Sequence, residues 1–171
     1  MTEDTANDHM IDKKDFDWKK YLLECMNSTD YCSIATVDEK GVWSNPVYFA
    51  WDKNFVFYFI SQMKSRHMQN LNKNSRIAFS IYKTEQKGDI VGIQIEGTAR
   101  ILSASDSKEV IQHAYDTYYG RAGNGPDVHE YINNPTWLYV KITPEKIFYF
   151  DTRFFDEQRQ EVSISKLDKL G

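Results

Sequence analysis

Apolar and polar positions fall into short stretches closed by turn residues, and most stretches have the length of strands. Between Phe16 and Met26, the residues Phe16, Trp18, Tyr21, Leu22, Cys25 and Met26 line one side of a predicted helix, with Lys19, Lys20 and Glu24 opposite. Asn27-Ser-Thr-Asp30 ends it. Tyr31–Val37 reads as a strand, and Asp38-Glu-Lys-Gly41 as a hairpin turn whose glycine suits a positive φ. Val42–Trp51 is the return strand, where Pro46 predicts an edge, a bulge or a bend. Asp52-Lys-Asn54 turns the chain into Phe55–Ile60, a dense aromatic and β-branched run. Turns this short cannot hold crossovers, so these strands pair antiparallel.

A polar turn, Ser61 to Ser65, leads into a short helix over Arg66–Lys73, with Met68 and Leu71 on one face. Arg76–Tyr82 is a fourth strand. After a polar loop over Lys83–Asp89 comes the stretch Ile90–Leu102, where Ile93 and Ile95 alternate with Gln94 and Glu96, and Gly97 marks a bulge or a close backbone approach. Ser105–Tyr119 reads as a second amphipathic helix, N-capped by Ser103 or Ser105, with Val110, Ile111, Ala114, Tyr115 and Tyr118 on its apolar side. A Gly-, Asn- and Pro-rich loop over 120–135, with a helical turn near Val128–Ile132, is the place expected for substrate-dependent variation. Trp137–Ile142 and Lys146–Asp151 are two closing strands joined through Thr143-Pro144-Glu145. Residues 1–14 are expected to be a flexible N-terminus, 15–151 the folded domain, and 152–171 a polar C-terminal tail. The pattern predicts a mainly β (α+β) domain: a small, partly closed antiparallel barrel of six or seven strands with helices at its rim.

Composition narrows the functions. A net charge of −4 over 171 residues, with a pI near 5.6, argues against general nucleic-acid binding, which needs a broad basic face. No apolar run approaches the roughly 20 residues of a membrane span. The first residues are polar and acidic, unlike a secretory signal. The two cysteines, Cys25 and Cys32, match no common redox or metal spacing and fit semi-buried thiols of a cytoplasmic protein. The scattered histidines His9, His67, His113 and His129 have no metal-ligand spacing, so no metal is expected.

The chemistry concentrates where a buried strand ends and a helix begins. Lys64, Arg66 and His67 sit there with Ser61 and Ser65, and a helix start offers free amides and the positive end of its dipole to an anion. This is a candidate phosphate clamp, although a solvated helix start also explains such charges. No acid, base or nucleophile stands out elsewhere, so the catalytic residues are unknown. Tyr115–Tyr119 fits a substrate lid or simple packing.

In this order, the stretches CSIATVDEKGVWSNPVYFAWD, VFYFISQMKSRHMQNLNKNSRIAFSI, GIQIEGTARIL and WLYVKITPEKIFYFD resemble the pyridoxamine 5′-phosphate oxidase-like family of FMN-binding split barrels, over roughly residues 20–151. The chain is most similar to the general-stress-protein and flavoprotein branches rather than to the oxidase itself. The resemblance implies a six-stranded antiparallel split barrel with peripheral helices, FMN as cofactor, and a homodimer with the cofactor at the subunit interface. Ser65, Arg66 and His67 match the family's Ser-Arg-Lys phosphate-binding run, and Ile60 and Ser61 match the strand end that meets the cofactor. Asn45, Pro46, Val47 and Tyr48 match the strand along the isoalloxazine, although Tyr48, Phe49 and Trp51 also fit core or dimer packing. Gln94 lies on the strand reaching the flavin from the other side. Where the oxidase has a cofactor-binding arginine and lysine this chain has Asn45 and Ala50, and no Arg-x-His element occurs near Tyr149–Arg153. Pyridoxamine phosphate oxidation is therefore not expected. The expected function is an FMN-dependent oxidoreductase acting on a small organic substrate. The alternatives are a non-catalytic flavin or ligand sensor, or a split barrel that uses haem or the deazaflavin F420.

Overall fold

The alternating stretches pair into one antiparallel sheet in the computed structural model, which describes residues 16–83, 89–132, 136–155 and 158–167. The expected flexible N-terminus over 1–14, most of the 83–89 loop and the end of the tail lie outside that set. In chain order the elements are α1 (Trp18–Asn27), β1 (Tyr31–Asp38), β2 (Gly41–Tyr48), β3 (Ala50–Trp51), β4 (Phe57–Gln62), α2 (Arg66–Lys73), β5 (Arg76–Lys83), β6 (Val91–Ile101), α3 (Lys108–Ala122), α4 (Val128–Ile132), β7 (Trp137–Asp151), α5 (Thr152–Phe155), β8 (Gln160–Val162) and α6 (Ile164–Leu167). The sheet runs β2-β1-β5-β6-β7-β4-β3, with β8 added to β7. The split-barrel class is as expected, but the described residues hold eight strands rather than six.

Pro46 sits on β2, at one edge of the sheet, where its missing N–H costs no pairing beyond β1. The buried alternation of β1, with Cys32, Ile34 and Thr36 inward, sends Ser33 and Ala35 to the opposite face. The main core fills the inward side between sheet, α1 and α2, with Phe57, Phe59, Ile81, Ile93 and Met68 among its most buried members. A second cluster, Tyr58, Leu102, Ile111, Ala114 and Tyr139, lies under α3. Cys25 and Cys32 are free and buried, and burial pushes both thiols up to about 12, so neither is a ready nucleophile.

Four expectations change. The strand expected from Phe55 begins at Phe57. Asp52 Oδ1 accepts the amides of Asn54 (2.9 Å) and Val56 (3.1 Å), closing a turn that holds buried Phe55 at φ 56°. The cap of α3 is Ser107, whose hydroxyl accepts from Val110 N–H, because Asp106 claims the Ser103 amide (2.8 Å). Trp137–Asp151 is one strand, not two. Gly97 faces Pro144 and Glu96 faces Lys146, so the register absorbs Glu145 as a bulge, and the proline's missing donor falls at the irregularity. The segment after Thr152, read as a polar tail, carries α5, β8 and α6. It buries Phe155, Val162 and Leu167, and β8 pairs with the second half of β7, beyond the half that β4 occupies.

A methyl group on Gly97 would run into the Thr143 carbonyl oxygen and stand 3.0 Å from Pro144 Cα, both backbone atoms that cannot rotate away. Gly97→Ala should therefore cost about 1–3 kcal/mol in urea unfolding. Gly120→Ala, in open space on α3, should instead gain up to about 1 kcal/mol. Equal effects of the two changes would remove the close approach at Gly97 as a constraint.

Candidate functional site

The start of α2 is where the predicted residues come together. Ser65 is its N-cap residue, in extended backbone, and the helix's first turn closes with Gln69 N–H donating to the Ser65 carbonyl (3.0 Å). The amides of Arg66, His67 and Met68 therefore have no intrahelical partner. Two side chains leave this point in different directions. His67 turns toward the end of β4, where its Nε2 meets Ser61 Oγ at 2.6 Å and Ser65 Oγ at 3.1 Å; the two hydroxyls lie 3.3 Å apart. Arg66 reaches across to the β1–β2 hairpin. Its Nη2 donates to Asp38 Oδ1 (3.2 Å), its guanidinium lies 4.8 Å from the Trp43 ring centre, and its buried Nε has no protein partner.

Charge at the site differs from a simple basic cluster. His67 is 8% exposed, and burial pushes its imidazole below the ordinary histidine range, so it is neutral at pH 7. Burial pulls the Asp38 carboxyl upward, but hydrogen bonds from Arg66 and the Lys40 amide, with the nearby positive charges, outweigh it and hold the group below its usual range. Asn70, 1% exposed, buttresses the pair. In the orientation that satisfies both ends of its amide, its oxygen accepts from the Thr36 hydroxyl (3.0 Å) and its nitrogen donates to Asp38 Oδ2 (3.0 Å) and the Arg66 carbonyl (3.1 Å). Lys64 is exposed beside them.

The remaining predicted residues divide between other faces. Asn45 and Val47 lie on the inward side of β2 with Trp43, and Asn45 Oδ1 is a buried acceptor without a partner. Ile60 packs in the cluster under α3, and the Tyr48 ring meets Tyr118 at 5.3 Å. Pro46 and Gln94 face outward. There Ser33, Ser44, Ser80, Gln94, Phe148 and Arg159 line a cavity of about 490 Å³. Arg159 Nη1 donates to Gln94 Oε1 (3.0 Å) and stacks 4.5 Å from the Phe148 ring centre. At the far end of β7, Arg153 is bidentate on buried Asp151 (2.9 and 2.7 Å), which also accepts from the Tyr149 hydroxyl (2.7 Å). Asp38, Trp43 and Arg159 were not legible as site residues. Asp38 read only as the first residue of a turn, 28 positions from Arg66.

A family model described as pyridoxamine 5′-phosphate oxidase matches residues 19–151. The chain belongs to that family. A UPF0306 protein of Campylobacter jejuni is 30% identical over 88 residues, which cover 51% of this chain and 65% of that relative. Among solved structures, the heme binding protein of Mycobacterium smegmatis superposes with a TM-score of 0.68 at 13% identity, covering 88% of this chain and 60% of its own. A pyridoxamine 5′-phosphate oxidase-related, FMN binding protein of Nostoc punctiforme gives 0.64 at 15% identity, covering 85% and 90%. Family membership thus comes with a fold whose relatives are named for either FMN or haem.

The burial of His67 has a pH signature. Unfolding returns the imidazole to a pKa of about 6.5, above its folded value, so the unfolded state binds more protons as pH falls through that range. The stability contributed by neutral His67 is complete above that pKa and is lost as pH drops toward the folded value. Urea unfolding at pH 7.5 and 5.5 should show this loss, and His67→Gln should flatten it. An unchanged slope in the variant would mean that His67 is not the titrating group.

Proposed function

We propose that this protein binds FMN, with the phosphate at the start of α2, and serves as an oxidoreductase for a small organic substrate in the cytoplasm. The observation that carries the reading is the set of donors at that point. Free helix amides and an arginine whose Nε lacks a partner suit the oxygens of one phosphate, whereas the Ser65 hydroxyl already donates to the Gln62 carbonyl (2.8 Å) and Ser61 is engaged by His67. Asn45 Oδ1, a second buried polar atom without a partner, lies on the same face of β2 as Trp43, which touches Arg66. These residues fit the group. FMN, when bound, supplies the hydride or electron chemistry. The chain's own residues bind and orient it, and keep the anion site poor in mobile charge.

The protein as purified should show the two-banded visible spectrum of a flavin, or take up added FMN with quenching of its fluorescence. Arg66→Ala should weaken FMN binding by at least about tenfold, the cost of one charge-assisted contact and of the cation that offsets Asp38. A colourless protein whose melting temperature ignores millimolar FMN would end the flavin reading, and unchanged affinity in the variant would remove Arg66 from it.

The second reading is haem, favoured by the likeness to a heme binding protein. His67 Nε2 is engaged by two serines, and His113 Nε2 lies 3.0 Å from Asp52 Oδ2. Among the described histidines, His129, exposed on α4, is therefore the one this reading would use. A Soret band in place of flavin bands would select it.

We infer a homodimer from the outer sheet face. Ser33, Ala35, Ala78 and Ser80 give that face small side chains, and strand alternation puts the exposed Tyr31, Val37, Val42 and Tyr82 on the same side. A second copy would close the 490 Å³ cavity from above. Ala78→Arg, in the middle of this face, should turn a dimer into a monomer by light scattering after size exclusion. A wild type that elutes as a monomer would refute the assembly.

A further inference from the structure

We propose that Asp38 sets the charge selectivity of the α2 anion site, acting as a fixed internal competitor for Arg66. This rests on the FMN reading above. Three observations carry it. Asp38 takes one nitrogen of the Arg66 guanidinium at 3.2 Å, so the strongest cation of the site already faces a carboxylate. The carboxylate is anchored from other sides by the Lys40 amide (2.9 Å) and by the Asn70 side chain (3.0 Å), and its side chain is only 14% exposed. It cannot swing into solvent when a ligand arrives without breaking those bonds. The neighbouring His67 imidazole is neutral, and Lys64 stands exposed where salt screens it.

The formal charge that a phosphate meets at Arg66 is therefore the sum of one guanidinium and one carboxylate. Binding at this end relies on what Asp38 leaves over: the Arg66 Nε and the first amides of α2. Hydrogen bonds of this kind recognise the shape of a phosphate but reward its second negative charge little, while Asp38 repels it. The wild-type site thus discriminates weakly between a phosphorylated ligand and the corresponding alcohol, and Asp38 is the residue that keeps it so.

Asp38→Asn removes the charge while preserving the shape. Its oxygen can still accept from Arg66 and the Lys40 amide. Its new amide nitrogen can face Asn70, whose own amide can reverse because the Thr36 hydroxyl serves equally as donor or acceptor, at the expense of the hydrogen bond from Asn70 to the Arg66 carbonyl. The experiment measures dissociation constants of FMN and riboflavin by fluorescence quenching, on full-length wild type and D38N, at low and at high salt. D38N should bind FMN on the order of tenfold more tightly at low salt, with riboflavin changed by less than about twofold. The gain should shrink as ionic strength rises. Asp38→Ser, which keeps a short acceptor for the Lys40 amide, is the second variant, and far-ultraviolet circular dichroism checks that each one folds. A wild type that binds FMN together with variants that gain nothing, or lose affinity, overturns this inference and leaves the flavin reading standing; the loss would mean that Asp38 positions Arg66 rather than opposing the phosphate. A gain shared equally by riboflavin also overturns it. Wild-type protein that takes up neither flavin overturns both.

Discussion

The pairing of β6 with β7 is the constraint on which the rest of the molecule hangs. These are the two longest strands, and between them one residue is absorbed where Gly97 meets Thr143 and Pro144. A bulge at that point bends and twists the pair. It also lets β7 serve two partners in succession, β4 along its first half and β8 along its second. The curved sheet that results has an inward face wide enough to hold Phe57, Phe59, Ile81 and Ile93 with two helices over them, and an outward face of small residues. Only glycine fits this closeness of backbones, so one residue without a side chain underwrites both surfaces.

The site follows from where that sheet leaves β4. Ser61 is the last inward residue of a strand buried on its other inward positions, and the chain must turn there because α2 covers the core with Met68 and Leu71. A polar turn at the rim of an apolar core has few water molecules to satisfy it, so its groups satisfy each other: Ser61, Ser65 and His67 on one side, Arg66, Asp38 and Asn70 on the other. Among their buried side-chain atoms, the Arg66 Nε is the one left without a partner, beside the free helix amides. Every helix start leaves amides over, but a buried side-chain donor without a partner, such as the Arg66 Nε, is uncommon in folded proteins because it costs the desolvation of an unpaired group. Their presence together is a stronger pointer to an anion than the number of basic residues in the segment.

Much of the fold was legible because antiparallel neighbours close in sequence announce themselves through turns: Gly41, Pro46 at the edge, the α2 segment and the bulge at Gly97 all follow from local chemistry. What escaped was set by distant partners. Phe155, Val162 and Leu167 are thinly spread among polar residues, and they become core only where the free half of β7 takes β8 and where Phe155 packs on Phe16 and Trp18. Three serines precede α3 within five positions, and the choice of Ser107 depends on Asp106 engaging Ser103 and Arg100. Arg66 and the two serines were legible as donors, whereas Asp38 was not, because its role exists only once the hairpin tip and α2 are brought side by side. Pro46, Tyr48, Ile60 and Gln94 were grouped with them by resemblance, yet a strand's two faces send neighbours apart, and within one chain they look to α3 or to the outer face.

That separation has a consequence for how one ligand could use both sets. The α2 donors lie on the inward side near the β1–β2 hairpin, and the Gln94 row lies on the outward side of the same sheet. A ligand lying along one subunit cannot touch both through the sheet. A second copy docked on the outward face would bring its own rim to the first copy's small-residue surface, so a cofactor held by α2 of one chain could meet the outer row of the other. Dimerisation and cofactor binding would then be one equilibrium: binding across the interface would stabilise the pair by mass action, and loss of the pair would leave the ligand with one chain's contacts alone. The small side chains of Ser33, Ala35, Ala78 and Ser80 acquire a reason on this view. They leave room above the sheet for a flat ring, which larger residues would fill.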